Sequence, residues 1–293
     1  MNTPVLVLVC VANLLASPLD LPLGGSDFKL LKTPAGPVPQ SLSQGGAARS
    51  DLGTNPAVDS VPSTQIAIGW MESYSKFEGS GQEALWQTPM GRWSFLGHAR
   101  YEGFDGLEGR SELDRPTGEY SAYTWALEAG SSIRLPWKGW QVGFMLGGGM
   151  EAISNTSAFA GWGSTGVRFS PSTQPWAVGL TASNLGVAGS DRTWVDLPAV
   201  VQGGGSWVFK VDRWSLIPMA DFRMVADEDL VFPVGFEARW EGARIRTGFP
   251  IGRPEAAPSF GAGWWSDTWG IDLGLGWHTA LGLAPSGRLS LHL

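Results

Sequence analysis

The sequence is poor in cysteine and in charge. Its one cysteine, Cys10, lies in an apolar run near the N-terminus. Removal of that run on export would leave a mature chain without cysteine, which excludes disulfides and thiolate metal ligands. Charged residues make up 16% of the chain, well below the roughly 25% that is usual in soluble proteins. This composition is unusual for a soluble domain of this size.

Long hydrophobic runs are also missing. No segment approaches the roughly 18 consecutive apolar residues that a transmembrane helix needs, so any membrane span in this chain would have to be a β-strand. The chain has 20 basic and 27 acidic residues, a net charge of −7. A mildly acidic balance of this kind argues against nucleic acid as a partner.

The N-terminal apolar run, residues 5–16, has the length of the hydrophobic region of a signal peptide. It predicts a signal peptide over residues 1–17, although no Lys or Arg precedes the run. The alternative is a buried N-terminal strand, which the Pro and Gly residues directly after the run disfavour. Residues 18–62 are rich in Pro, Gly and Ser and are predicted to form an extended or loosely folded segment, periplasmic or plug-like.

What the sequence does have is glycine, tryptophan and strict alternation, with 41 Gly and 16 Trp. In residues 268–282 one row begins with Trp269, ends with Trp277 and is aliphatic between them. The other row is made of glycines with Asp272 and His278. A period of two indicates a strand with two different surroundings. The two tryptophans span about 20 Å in a tilted strand, near the height of the apolar band of a transmembrane barrel.

The same alternation recurs from residue 63 to the end, in segments separated by turns. The predicted strands are 64–72, 82–88, 91–103, 119–135, 139–152, 156–170, 175–185, 198–210, 213–224, 231–240, 243–250, 257–266, 268–279 and 286–293. The longest predicted loops are 72–82, 104–118, 186–196 and 225–230. The predicted fold is all-β, a transmembrane antiparallel β-barrel of about 14 strands over residues 63–293, an even number as in bacterial barrels.

Charged residues keep to one row of each predicted strand, and large apolar residues occupy the other. We interpret the charged row as facing the lumen, because residues of both signs can pair in a narrow interior. The predicted lumen residues are Arg92, His98, Arg100, Glu102, Glu128, Glu151, Asp221, Arg223, Glu237, Arg239, Arg244, Arg246, Asp272, His278 and Arg288. The predicted membrane girdle on the opposite row contains Trp93, Trp125, Trp140, Trp214, Trp269 and Trp277. A secreted soluble β protein is the alternative that this pattern leaves open.

The lumen residues allow more than one chemistry. The arginines line an anion path or pair with neighbouring carboxylates, and pairing is the favoured interpretation. The histidines could activate a nucleophile, but no motif fixes one, so no catalytic residue is assigned. The glycine-rich stretches 146–150 and 261–265 lack the Lys-Ser/Thr of a phosphate loop. We expect no cofactor, no metal and no enzymatic activity.

Residues 45–57, GGAARSDLGTNPA, resemble the N-terminal signature of the FadL-like barrels and of their PorV/PorQ relatives. The matching residues are Gly45, Gly46, Ala47, Ala48, Asn55, Pro56 and Ala57. The stretches ASNLG at 182–186 and VGFEARWEGARIRTGF at 234–249 are also similar to the family. The sequence departs from the signature at Val58, where the family has glycine. The Asn-Pro-Ala element is either an ordinary turn into the first strand or a functional plug contact.

This resemblance implies a barrel of fourteen strands in the outer membrane of a Gram-negative-type bacterium. PorV-type members bind exported cargo of the type IX secretion system and pass it on, whereas FadL-type members take up hydrophobic molecules through a lateral opening with the N-terminal segment as a plug. The length of the chain is more similar to the PorV/PorQ proteins. The favoured function is therefore secretion-associated, with outer-membrane lipid and secreted cargo or secretion-system components as partners. Transport of hydrophobic small molecules is the alternative.

Overall fold

The structure is a computed structural model. It describes residues 28–31, 36–49, 54–58, 61–72, 79–110, 116–154, 156–190, 193–226, 228–252, 257–279 and 282–293. The predicted signal peptide, including Cys10, lies outside the described residues, as do parts of the loops predicted at 72–82 and 104–118. Within the described ranges, no helix has the length and apolar character required to cross a membrane.

The described residues form a closed antiparallel barrel. The strands are β1 (Gln65–Glu72), β2 (Gly79–Met90), β3 (Trp93–Arg110), β4 (Pro116–Arg134), β5 (Trp140–Ile153), β6 (Thr156–Phe169), β7 (Trp176–Ser190), β8 (Thr193–Asp196), β9 (Val200–Trp207), β10 (Phe209–Val211), β11 (Trp214–Val225), β12 (Phe232–Trp240), β13 (Ala243–Ile251), β14 (Ser259–Trp265), β15 (Trp269–His278) and β16 (Gly282–His292). Fourteen of them form the wall, which closes where β1 pairs with β16. The short strands β8 and β10 are additions to β7 and β11.

The predicted strands correspond to the fourteen wall strands, and the differences have local causes. The segment predicted as one strand at 198–210 is broken at Val208, whose N–H donates to the Pro175 carbonyl (2.7 Å) instead of joining the ladder. Much of the predicted loop 104–118 is strand, because β3 and β4 continue past a register shift between Phe104 and Leu107. The predicted loop 186–196 likewise contains the end of β7 and all of β8, which pair as a hairpin.

The outer surface of the barrel is apolar. Aliphatic side chains such as Leu146, Ile245 and Ile68 are 60–67% exposed on the outward row. Since a large exposed apolar surface on a closed barrel is stable only in lipid, this belt faces a membrane. The six predicted girdle tryptophans all lie on this outer surface, at least partly exposed.

The two ends of the barrel differ in their connections. Two-residue turns at 91–92 and 241–242 lie at one end, which we call the turn end, and the opposite end is called the loop end. Trp93, Trp140, Trp214 and Trp269 are the first residues of their strands at the turn end. Trp277 lies near the loop end of β15, and Trp125 pairs with Tyr101, which is eight residues along β3 from Trp93. The tryptophans therefore occupy two levels, as the girdles of a membrane barrel do.

The N-terminal segment lies inside the barrel. We call residues 28–31, 36–49 and 54–58 the plug. It contains a 3₁₀ turn (Lys29–Leu31) and the short helix α1 (Pro37–Ser41), which has proline in its first turn. The sequence predicted an extended or loosely folded segment here. The described part is instead packed, with Leu42 and Ser41 fully buried, because the surrounding wall supplies the burial that the segment alone does not have.

Glycines on the wall make room for the plug. Inward-facing glycines lie directly opposite one another on neighbouring strands. The pairs are Gly143–Gly166, Gly179–Gly204, Gly235–Gly248 and Gly261–Gly274. A methyl group at Gly143 would overlap the Pro56 carbonyl, and one at Gly179 would overlap the Ala47 carbonyl. We call these four pairs the glycine track, because the plug packs against at least one glycine of each pair, where an added side chain would collide with it.

The glycine track predicts that one added side chain will displace the plug. In Gly248→Val, the new side chain meets the backbone of Leu42 and Ser43. We expect the free energy of unfolding, measured by urea titration in lipid vesicles, to fall by about 1–3 kcal/mol, a typical cost of overpacking. Trypsin cleavage after Arg49 should become faster.

The matched control is Gly161→Val, on the outward row of β6, where an added Cβ has only the Gly147 carbonyl within 4.0 Å. This variant should leave both readouts unchanged. Equal stability and equal protease protection of Gly248→Val and the wild-type chain would show that the plug does not rest on this glycine.

Candidate functional site in the barrel lumen

A single carboxylate on the wall holds the middle of the plug. Asp221, on β11, accepts hydrogen bonds at Oδ2 from the backbone N–H groups of Gly46 (2.6 Å) and Ala47 (2.8 Å). Gln202 Nε2 donates to the same oxygen at 2.8 Å. Successive N–H groups that converge on one anion form a nest, and bonds to a charged acceptor are stronger than neutral ones. The structure thus brings a predicted lumen residue onto two residues of the signature at 45–57.

The Asn-Pro-Ala element fixes a turn and also contacts the wall. Asn55 Oδ1 accepts from the Ala57 N–H at 2.8 Å, which closes an Asx turn, and Asn55 Nδ2 donates to the Ala47 carbonyl at 2.7 Å. Pro56 lies against the glycine track at Gly143 and Gly166. The two interpretations from sequence therefore describe one arrangement, in which the turn joins two parts of the plug.

Other wall side chains hold the plug through its backbone. Arg168 Nε donates to the Ala48 carbonyl at 2.7 Å, and Gln202 Nε2 donates to the Gln44 carbonyl at 2.8 Å. Ser132 Oγ donates to the Val58 carbonyl at 3.0 Å. In the opposite direction Gln40, from the plug, donates to the Ala284 carbonyl at 2.7 Å. The plug is therefore anchored on several sides of the barrel.

A buried ionic network, which we call the Glu237 network, joins the plug to β12, β13 and β15. Glu237 accepts from Arg246 at 2.5 Å, lies 3.2 Å from Arg49 of the plug and also bonds to Arg239. Arg246 continues to Asp272 at 2.7 Å. Glu237, Arg246 and Asp272 are at most 1% exposed, so each charge depends on the others for its compensation.

A second network lies across the seam where the barrel closes. His98 Nδ1 is 3.2 Å from Glu128, and its Nε2 is 3.6 Å from Glu83. Arg288 donates to Glu83 at 2.9 Å, and the Trp162 indole donates to Glu128 at 2.8 Å. These bonds connect β2, β3, β4, β6 and β16.

Of the other predicted lumen residues, most face inward and one does not. Arg100, Glu102, Glu151 and Arg223 are buried or half-buried on inward rows, Arg244 lies over the Trp265 ring at 4.4 Å, and His278 is half-buried at the loop end of β15. Arg92 was wrongly predicted to face the lumen. It is exposed in the turn at 91–92, because β3 begins one residue later, at Trp93.

Within the described ranges, no three His, Cys, Asp or Glu side chains are grouped to hold a metal ion.

Several important residues were missed from sequence. Glu83 shares its row with Leu85, which obscured the polar pattern of β2. Arg49 belongs to the plug and is on no strand, so strand parity gave no information about it. Trp162 and Trp265 face inward, although tryptophan was expected on the outer surface; their parity in β6 and β14 was the available signal. Each donates its indole N–H to an inward-facing carboxylate, Trp162 to Glu128 and Trp265 to Asp272.

A cluster of buried apolar side chains lies on the loop-end side of the lumen, and we call it the apolar site. Phe28, Leu30 and Leu31 of the plug fill it. The wall and the β8–β9 connection line it with Ala126, Trp162, Ala188 and Leu197, all buried. Asn184, with φ at +59°, donates from Nδ2 to the Leu31 carbonyl at 3.0 Å and holds the segment there. This asparagine is part of the ASNLG stretch noted in the sequence.

A larger cavity of about 950 Å³ lies between the plug and the turn end. It is lined by Ala48 and Arg49 of the plug and by wall residues such as Gln65, Arg239 and Ser290. A small cavity of about 110 Å³, lined by Leu31, Pro56 and His98 among others, lies between parts of the plug. The plug therefore lies between the apolar site and a cavity whose lining mixes cationic, polar and apolar side chains.

The apolar belt, the closed wall of fourteen strands and the internal plug define the chain as a membrane β-barrel with the fold of the FadL-like outer-membrane barrels, which places it in the outer membrane. It is similar to a TodX mutant described as a monoaromatic hydrocarbon channel, with 11% identity over 88% of this chain and 99% of that chain and a TM-score of 0.62. The CymD monoaromatic hydrocarbon channel is similar at 13% identity, over 88% and 97% of the two chains, with a TM-score of 0.61. It is also similar to the Pseudomonas putida toluene transporter TodX, with 10% identity over 82% of this chain and 93% of that chain and a TM-score of 0.57.

At these identities the likeness concerns the fold alone. No protein-family model matches the chain, and no characterised protein matches it by sequence. The FadL-like part of the resemblance is supported by these structures, whereas nothing in them supports the PorV/PorQ family specifically.

The anchoring role of Asp221 can be tested by conductance. Asp221→Ala removes the acceptor of two plug N–H groups and leaves them buried, which costs roughly 1–3 kcal/mol each in an apolar setting. We expect a loosened plug and therefore a larger single-channel conductance in planar bilayers. Asp212→Ala, in the exposed turn before β11, is the control and should conduct like the wild-type chain. An unchanged conductance of Asp221→Ala would remove this anchor from the description.

The Glu237 network predicts a large difference between two substitutions of the same type. Glu237→Gln leaves buried arginines without their carboxylate, and we expect a loss of about 3–5 kcal/mol in the free energy of unfolding. Glu241→Gln breaks only the exposed pair with Arg213 (3.4 Å) and should cost less than about 1 kcal/mol. Urea titration in vesicles measures both. Similar losses for the two variants would contradict the structural role of the network.

Proposed function

We propose that this chain is an outer-membrane channel that admits hydrophobic small molecules and catalyses no reaction. The observation that carries the proposal is the apolar site, where Phe28, Leu30 and Leu31 meet buried apolar residues of the wall, inside a barrel whose inward rows also carry many charged and polar side chains. An interior built only for water or ions has no need of such a site.

The side chains in the apolar site indicate the kind of molecule that would replace them. Phe28, 2% exposed, places a benzyl group among Ala126, Trp162 and Leu197. A single aromatic ring with a short alkyl group has the same size and polarity. If residues 28–31 withdraw, a monoaromatic hydrocarbon would bury comparable area, worth about 25 cal/mol per Å². The fold shared with the TodX and CymD channels is in keeping with this ligand class.

The wall next to the apolar site is irregular. The β6–β7 ladder shifts register between Gly163 and Thr165, opposite the left-handed Asn184. Trp162 and Ala188, both on the loop-end side of this irregularity, line the apolar site. A β-bulge weakens local pairing, so a lateral route of the kind that the FadL resemblance implies would open here at least cost.

The secretion-associated function, which the PorV/PorQ resemblance implies, has less support. It rests on the signature at 45–57 and on chain length, and the signature residues are used inside the barrel, where Asn55 and Ala47 are fully buried. Buried residues of this kind are not available to a cargo protein. The channel is therefore the better-supported function.

The channel predicts uptake of toluene by intact cells. Expression of the full chain in a Gram-negative host should raise the initial rate of radiolabelled toluene uptake. Leu197→Gln places a polar group in the apolar site, at a position 3% exposed, and we expect it to lower the rate several-fold. Leu230→Gln makes the same change in an exposed loop-end connection, 46% exposed, and should have no effect.

The competing function has its own readout in the same strain. A folded barrel in the outer membrane that gives no increase in toluene uptake would overturn the channel. A native mass spectrum of gently extracted protein then distinguishes the alternatives. An exported protein bound to the barrel would support secretion, and a bound lipid-sized molecule would support transport.

A further inference from the structure

The cavity at the turn end has a strongly positive lining. Six of its lining residues are permanent cations, Arg49, Arg168, Lys210, Arg239, Arg244 and Arg288. No Asp or Glu is among the lining residues in the described part of the chain. The chain as a whole carries a net charge of −7, so this concentration of positive charge is local.

Two of these arginines face each other across neighbouring strands. Arg239 on β12 is the direct cross-strand partner of Arg244 on β13. Like charges in directly opposite positions destabilise a sheet. The pair therefore has a cost in the folded barrel that an opposite charge between the two guanidinium groups would remove.

The nearby carboxylates are already used elsewhere. Both oxygens of Glu237 are engaged, one by Arg239 and the other by Arg246 and Arg49. Asp272 accepts from Arg246 at 2.7 Å and from the Trp265 indole at 3.0 Å. Every oxygen of these two carboxylates thus already has a partner, and none of those partners is Arg244.

Arg244 is the arginine of this group that forms no salt bridge with Glu237 or Asp272. Its guanidinium lies 4.4 Å from the centre of the Trp265 ring, and within the described ranges it makes no ion pair. A guanidinium held over an aromatic face still has N–H groups that point away from the ring and can donate to an anion. The Trp265 contact also limits the freedom of the side chain, which lowers the entropic cost of binding.

We propose that this cavity is a binding site for small organic carboxylates, with Arg239 and Arg244 as the principal contacts. Arginine forks match the planar geometry of a carboxylate. The occupant enters from the aqueous turn end, because the closed wall separates the cavity from lipid. The volume of about 950 Å³ accommodates a single-ring acid with room for water. The site lies across the plug from the apolar site and goes beyond the proposed uptake of hydrocarbons.

The test is isothermal titration of the purified full-length barrel in detergent micelles with benzoate. Benzamide, which has the same shape without the charge, is the matched probe. We expect benzoate to bind, more weakly as salt is raised, and benzamide to bind at least tenfold more weakly. R239Q/R244Q should lower benzoate affinity at least tenfold, whereas R239K/R244K keeps the charge and should retain part of it. R213Q alters an exposed turn-end arginine, 77% exposed, and should bind as the wild-type chain does.

Equal binding of benzoate and benzamide to the wild-type barrel would overturn the proposal, and so would full benzoate affinity in R239Q/R244Q. Heat-modifiable mobility on a gel reports whether each variant is folded. If the double variant does not fold, the comparison of benzoate with benzamide and its salt dependence on the wild-type chain decides the question. Toluene uptake by R239Q/R244Q separates this site from the channel, since loss of benzoate binding there should leave the apolar site intact.

Discussion

The contact between the plug backbone and the glycine track is the constraint on which the rest of the structure depends. Backbone meets backbone at Gly143, Gly179 and Gly248, so the plug lies as close to the wall as two chains can lie. A barrel of fourteen strands would otherwise enclose a wide interior. Because the plug sits at this level, the lumen is divided into an apolar side and a positively charged side, and each side has a chemistry of its own.

Charged side chains of the wall hold the plug at this level of the barrel. Asp221 fixes Gly46 and Ala47, and Glu237 links Arg49 of the plug to two wall arginines. A buried ionic network contributes little net free energy when complete, but the loss of one member leaves the others uncompensated. The network therefore favours one position of the plug over its alternatives more than it stabilises the barrel. Movement of the plug as a whole requires these bonds to exchange together.

Alternation predicted the barrel from sequence because every wall strand has two different surroundings. That rule put Asp221 and Glu237 on the charged row, and both are buried inside the barrel. It does not apply to Arg92, because β3 begins at Trp93, two residues later than predicted, and leaves Arg92 in the turn. The packing of the plug could not be predicted from the sequence. Its partners lie 175 residues away in the case of Gly46 and Asp221, and no local pattern reports such contacts. The glycine pairs required the register between strands, which turns and bulges set.

The polarity of the two sides also constrains how the proposed channel would work. An apolar solute gains about 0.8 kcal/mol for each buried CH₂ group in the apolar site. Beyond the plug it would meet a cavity whose lining mixes apolar side chains with six arginine and lysine residues, where part of that gain is lost. Passage along the barrel axis is therefore uphill from the apolar site. Exit through the irregular β6–β7 wall into lipid keeps the solute in apolar surroundings throughout, so the plug needs to release only residues 28–31, and the Asp221 and Glu237 anchors can stay in place.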